Sequence, residues 1–144
     1  MKVILDANVY ISYLLAPAGH RRVVEVMEAC LTNSDIELVV PEELMAELRA
    51  SVQNKAYLQV HIAPEDLADL LDALAKVATL APALPLTHSY ARDPKDDYLL
   101  AHGLVEEADY LVTGDDDLLA LGQIEGLQIV SVPRFWTVLF DSSS

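Results

Sequence analysis

Short runs of Val, Ile and Leu alternate with stretches of helical spacing along this chain, and that alternation narrows the fold more than any other feature. Residues 2–5 form a buried-strand pattern that ends at Asp6. From Val9 to Leu31 the apolar side chains recur at helical spacing, and Pro17-Ala18-Gly19 divides them into two helices. Residues 36–40 form a second strand pattern, and a helix over 41–54 follows with Pro41 in its first turn, where a missing amide hydrogen costs nothing. A third long helix spans 64–80, opened by Pro64-Glu65-Asp66, and residues 81–85 with their two prolines form a connector. Asp93-Pro94 starts a helix that runs to about Glu107. Strands at 110–112 and 128–130 flank a short helix over 116–121, and 133–140 forms a terminal helix turn.

This order predicts an α/β fold: a three-layer α/β/α sandwich around a central, mainly parallel sheet of four to five strands. The 144 residues suit one domain, expected over 1–140 with 141–144 as a frayed tail. Apolar residues make up 53% and charged ones 22%, which excludes disorder by composition. No run approaches the roughly 18 apolar residues of a membrane span, and a carboxylate at position 6 comes too early for a signal peptide. Cys30, the one cysteine, has no partner within the chain, and a reducing, cytoplasmic setting is expected.

The chain carries 23 Asp and Glu against 9 Lys and Arg, a formal charge of −14. That field repels nucleic-acid backbones and disfavours passive binding to them. Basic proteins and hard cations remain as partners, and a bound divalent cation would reverse the local field. A positive mean hydropathy of +0.28 adds an expectation of apolar surface closed by self-association or a partner.

In open parallel sheets, ligands bind beyond the carboxyl ends of the strands. Acids cluster there: Asp6-Ala7-Asn8 after the first strand, Glu43 and Glu47 on the helix after the second, Asp93-Pro94-Lys95-Asp96-Asp97 before the third, and Thr113-Gly114-Asp115-Asp116-Asp117 after it. Uncompensated, such carboxylates repel one another and resist desolvation, while Arg92 and Lys95 are the bases close by in sequence. Mg²⁺ or Mn²⁺, which prefer carboxylate and water oxygens, is the natural counter-charge.

Each acid also has an ordinary structural role available. Asp93 makes a good helix N-cap before Pro94, and Asp115 could cap the helix that starts at Asp116. Glu42 and Glu43 suit a dipole-favoured first turn, which leaves Glu47 to be explained otherwise. Of the adjacent Asp96 and Asp97, Asp97 shares its helix face with Leu100 and Ala101 and is the one expected to face inward. Asp6, directly after a buried strand, is the hardest to assign to solvent.

Other chemistries find less support. There is neither a GxxxxGK[ST] loop nor a GxGxxG after a strand. His20, His61, His88 and His102 lack zinc-ligand spacing, Cys30 sits mid-helix, and no nucleophile elbow exists. A phosphoacceptor receiver domain would need an acidic pair after strand one and a late Lys, and a haloacid-dehalogenase site would need Asp at position 8, where Asn8 stands.

The segments Val3-Ile4-Leu5-Asp6-Ala7-Asn8-Val9, Pro41-Glu42-Glu43-Leu44-Met45-Ala46-Glu47-Leu48, Asp93-Pro94-Lys95-Asp96-Asp97-Tyr98-Leu99-Leu100-Ala101 and Ala108-Asp109-Tyr110-Leu111-Val112-Thr113-Gly114-Asp115 occur in order. Together they resemble PIN domains, specifically the VapC-like toxin subunits of toxin–antitoxin pairs, over nearly the whole chain. The resemblance implies an acidic quartet of Asp6, Glu47, Asp97 and Asp115, both metal-binding and catalytic. It matches Asn8 and Thr113 to polar residues beside that quartet, and Asp93 and Asp117 to positions that are often acidic. It also implies a Mg²⁺- or Mn²⁺-dependent ribonuclease inhibited by a small antitoxin protein, with RNA as substrate. Gly103 departs from the pattern, standing where relatives often carry alanine, at a cost of about 1 kcal/mol in helix propensity.

Arg21, Arg22, Arg49 and Lys55 are candidates for a basic rim that holds substrate phosphates, which a homodimer would join into one groove. The competing expectation is a catalytically silent module of the same fold that binds a basic partner protein.

Overall fold

In the computed structural model, which describes residues 1–16, 21–85 and 94–141 (backbone alone at 94–96), strands β1 (Lys2–Leu5), β2 (Glu37–Pro41), β3 (Thr79–Ala81), β4 (Tyr110–Val112), β5 (Gln123–Ile124) and β6 (Leu127–Val130) form one sheet. Its order is β3-β2-β1-β4-β6-β5, parallel throughout except for the antiparallel β5–β6 pair. The mainly parallel α/β architecture is the expected one.

The helices are α1 (Ala7–Leu15), α2 (Arg21–Thr32), α3 (Glu42–Asn54), α4 (Ala56–His61), α5 (Pro64–Val77), α6 (Pro94–Val105), α7 (Asp116–Leu119) and α8 (Val132–Phe140). Right-handed crossovers dictate their sides. From β1 through β2 to β3 the chain moves one way across the sheet, which puts α1–α5 on one face. From β3 to β4 and on to β6 it moves back, which puts α6 and α7 on the other. The packing agrees: α2 contacts α1, α5 and α8, while α6 packs on β4 and α7 on β6.

Burial explains why the strand patterns were readable. Val3, Ile4 and Leu5 are fully buried, as are Val39, Val40, Leu111 and Val112, as central parallel strands require. Tyr10, Met27, Leu44, Leu48, Leu74 and Phe135 fill the core from the helices. Cys30 is buried among them, and desolvation pushes its thiol up to about 12, so it behaves as core.

The sheet has six strands rather than four to five. β3 falls where the helix was expected to run on to Leu80, because three residues with exposed Thr79 and Leu80 show no period. β5 is a two-residue hairpin arm whose turn holds Glu125 at φ 53. Pro41 does not begin the helix: it is extended (φ −63, ψ 143), pairs in register with Ala81, and precedes α3 as its cap residue. α4 was not anticipated, and the C-terminal segment forms a nine-residue helix whose start Ser131 caps by accepting from the Arg134 amide. The Pro17–Gly19 turn and the Ser142–Ser144 tail lie outside the described residues. Among the described residues no helix is long and apolar enough to cross a membrane.

What positions the site is the reversal of direction at β1. Its neighbours are β2 on one side and β4 on the other, and the crossovers leave toward opposite edges. The crevice at the carboxyl ends of β1 and β4 is therefore the sheet's topological switch point.

Candidate active site at the switch point

Asp6 leaves β1 and Thr113 leaves β4 at this crevice, and the Thr113 hydroxyl donates to Asp6 Oδ2 at 2.7 Å. Both side chains are buried, 6% and 0% exposed. The Asp6 amide extends the β1–β4 ladder to Val112 O at 2.9 Å, which fixes where the carboxylate emerges. Asp6 Oδ1 accepts from the Ala7 amide at 2.6 Å as the N-cap of α1. The same acid is both a cap and the focus of the pocket.

Asn8 and the loop after β4 complete the support. Asn8 Nδ2 donates to Asp6 Oδ2 at 3.3 Å, and Asn8 Oδ1 accepts from the Gly114 amide at 3.1 Å. The Asp115 amide donates to Thr113 Oγ1 at 3.0 Å. Thr113 thus accepts from one acidic residue's backbone and donates to the other's side chain. Asp115 Oδ1 also accepts from the Asp117 amide at 2.9 Å and so caps α7, the ordinary role considered for it.

The electrostatics mark Asp6. Desolvation holds its carboxyl above the usual carboxylate range; the Thr113 and Ala7 hydrogen bonds pull it down, and the charges of Glu47 and Asp115 push it up. Among the described residues, no base forms an ion pair with Asp6, Glu47 or Asp115. The structure therefore brings Asp6, Glu47 and Asp115 into one field.

Asp97, the fourth member of the expected quartet, is 6% exposed at the fourth residue of α6, one position before Tyr98. Asp117 is exposed on α7, where its amide donates to Asp115 Oδ1. Asp93 lies outside the described residues.

Two residues passed over in the sequence reach the site from α6. The Tyr98 hydroxyl donates to Glu47 Oε2, and buried His102 meets Glu43 Oε1 at 2.9 Å. Burial pushes the Tyr98 phenol up, and the hydrogen bond and charge of Glu47 reinforce it, so it stays a donor. Burial pulls Glu43 upward, but backbone amides including that of Leu84, together with His102, outweigh it and hold the carboxyl low. Tyr98 and His102 stand four apart, as do Glu43 and Glu47, and that matched spacing was the signal available in the sequence.

The expected basic rim divides. The Arg22 guanidinium lies 5.1 Å over the Trp136 ring, and Arg49 lines a groove with Val52 and Ile62. Lys55 shares a cleft with Glu47 and Tyr98.

The donor set is all carboxylate and hydroxyl oxygen, which suits a hard divalent cation and not zinc. As the side chains lie, no three His, Cys, Asp or Glu among the described residues are gathered closely enough to hold an ion. The site shows an uncompensated negative field of the right chemistry rather than a finished cage.

A family model described as PIN domain matches residues 2–117. The chain belongs to the PIN domain family. The PIN match spans β1 through the first residues of α7 and so includes Asp6, Glu47, Asp97 and Asp115. This PIN fold is similar to a chain in the crystal structure of VapBC2 from Rickettsia felis bound to a DNA fragment from their promoter, with TM-score 0.60 and 14% identity over 91% of this chain and 98% of that one. No curated protein matches the chain significantly.

Proposed function

We propose that this PIN domain is a Mg²⁺- or Mn²⁺-dependent ribonuclease, the toxin of a toxin–antitoxin pair, which hydrolyses RNA phosphodiester bonds. The observation that carries the reading is the buried Asp6 carboxylate at the switch point, pressed by Glu47 and Asp115 without an ion-pair partner among the described residues. PIN membership and the carboxylate chemistry of the pocket support it. The resemblance to VapC-like toxins and the fold shared with the VapBC2 chain support a small antitoxin as protein partner.

Asp6, Glu47, Asp97 and Asp115 would hold the cation. When bound, it supplies Lewis acidity that activates water and offsets charge on the phosphate. The chain's own work is positional. Thr113 and Asn8 both donate to Asp6 Oδ2 and fix the orientation of that carboxylate. The Asp115 amide, through Thr113 Oγ1, ties the two strand ends into one rigid edge. Tyr98 holds Glu47 toward the pocket from the opposite helix.

The test is cleavage of a panel of structured RNAs by wild type with Mn²⁺, by wild type with chelator, and by Asp6→Asn and Asp97→Asn with Mn²⁺. Cleavage confined to the first condition supports the proposal. Equal products in all four, or none in any, overturns it.

A further inference from the structure

Helix α4 packs against α3, and its Leu58, with the cap residue Ile62, joins Val52 in an apolar cluster separate from the main core. The Gln59 side-chain amide donates to the Gln53 carbonyl and ties α4 to the last turn of α3. A groove of about 360 Å³ opens over this cluster, at the small end of the roughly 300–1,000 Å³ typical of ligand pockets. Buried Val52 and Ile62 form its floor, and Leu67, Ala68 and Leu71 of α5 form an apolar wall. Exposed Arg49 stands at its mouth. Arg49 comes two residues after Glu47, about 200° around α3, so the groove lies on the far side of that helix from the acidic site.

Charge singles this groove out. Acids outnumber Lys and Arg 23 to 9 in the chain, yet among the described residues none lines the groove, and Arg49 forms no ion pair. We propose that the groove binds a small organic acid with an apolar body. Its carboxylate sits on the Arg49 guanidinium, whose planar fork matches a carboxylate in a bidentate pair. Its apolar body lies over Val52 and Ile62 against Leu71, where the groove's size selects a short chain or a single ring. A cationic ligand of the same shape finds no counter-charge there, which reverses the preference that the −14 charge sets for the rest of the surface.

The experiment titrates octanoate, octanol and octylamine into the whole chain in chelator, by calorimetry and by amide chemical shifts. It compares wild type with Arg49→Gln, with Ala68→Phe, which fills the groove from an exposed position, and with Lys76→Gln as a control. Octanoate is expected to bind one to one with a Kd of about 0.1 mM and to move the signals of Ala68 and Leu71. Arg49→Gln should weaken it about fivefold, Ala68→Phe should abolish it, and Lys76→Gln should match wild type. Octylamine should bind at least fivefold more weakly than octanoate, with octanol between them. Absence of saturable octanoate binding, equal affinity for the three head groups, or binding unchanged in Arg49→Gln overturns the proposal. Sedimentation supplies one further outcome: a wild-type dimer that Ala68→Phe dissociates makes a second copy the occupant and overturns the small-acid assignment. A Leu/Glu amphipathic helical peptide that binds at these residues where octanoate does not overturns it in favour of a protein partner.

Discussion

The Tyr98 hydroxyl on α6 donates to the Glu47 carboxylate on α3, joining residues 51 apart in sequence. One helical turn away on each helix, His102 meets Glu43. These two rungs clamp a helix from one face of the sheet to a helix from the other. Removing the Tyr98 hydroxyl should free Glu47 while leaving the buried ring in place. Tyr98→Phe is expected to lower kcat about tenfold, with thermal stability changed by no more than about 1 kcal/mol. Steady-state kinetics beside a melting curve checks this, and a large loss of stability with kcat preserved would make the rung structural.

The carboxyls of Asp6 and Glu43 push stability in opposite directions with pH. Asp6 titrates above its ordinary 3.8, because burial and neighbouring charge disfavour its ionised form in the fold. It therefore detracts from stability as pH rises from 3.8 through its folded value, and the penalty is absent below 3.8. Glu43 titrates below its ordinary 4.5, so its contribution is full above 4.5 and is lost as pH falls through the folded value. Asp6→Asn should raise the melting temperature in chelator at neutral pH by about 2–4 °C and lose that advantage in acid. Glu43→Gln should lower stability at neutral pH and flatten the acid limb. Melting curves across pH separate the two.

Gly103 has a packing reason. A Cβ there would stand 2.6 Å from Cδ2 of Leu127, a side chain 1% exposed on β6. Alanine gains up to about 1 kcal/mol in helix propensity, but crowding a packed core costs roughly 1–3 kcal/mol. Gly103→Ala is expected to destabilise by about 1 kcal/mol net, and Leu127→Val in the same chain to recover part of it. Additive effects in that double-mutant cycle would contradict the contact.

The legible part of the fold was the part with a period. Val3-Ile4-Leu5, Val39-Val40 and Leu111-Val112 announced themselves because both faces of a central parallel strand are buried. Thr79–Ala81 and Gln123–Ile124 did not, being edge segments too short to alternate. Pro41 misled because proline's fixed φ suits both a first helical turn and an extended strand end, and pairing with Ala81 decides between them. Within the site, Asp6, Asn8, Thr113 and Asp115 could be grouped because each lies within three residues of the end of β1 or β4. Tyr98 and His102 carried only the four-residue spacing they share with Glu43 and Glu47: their role depends on the approach of α3 and α6, which that spacing does not fix.

Calorimetric titration with Mn²⁺ tests whether the pocket around Asp6 takes a hard divalent cation, without needing the RNA substrate. Wild type should bind Mn²⁺ saturably and gain thermal stability by mass action, with Asp6→Asn and Asp97→Asn each weakening the affinity tenfold or more. Binding left unchanged by both substitutions, or no saturable binding by wild type, would contradict the account.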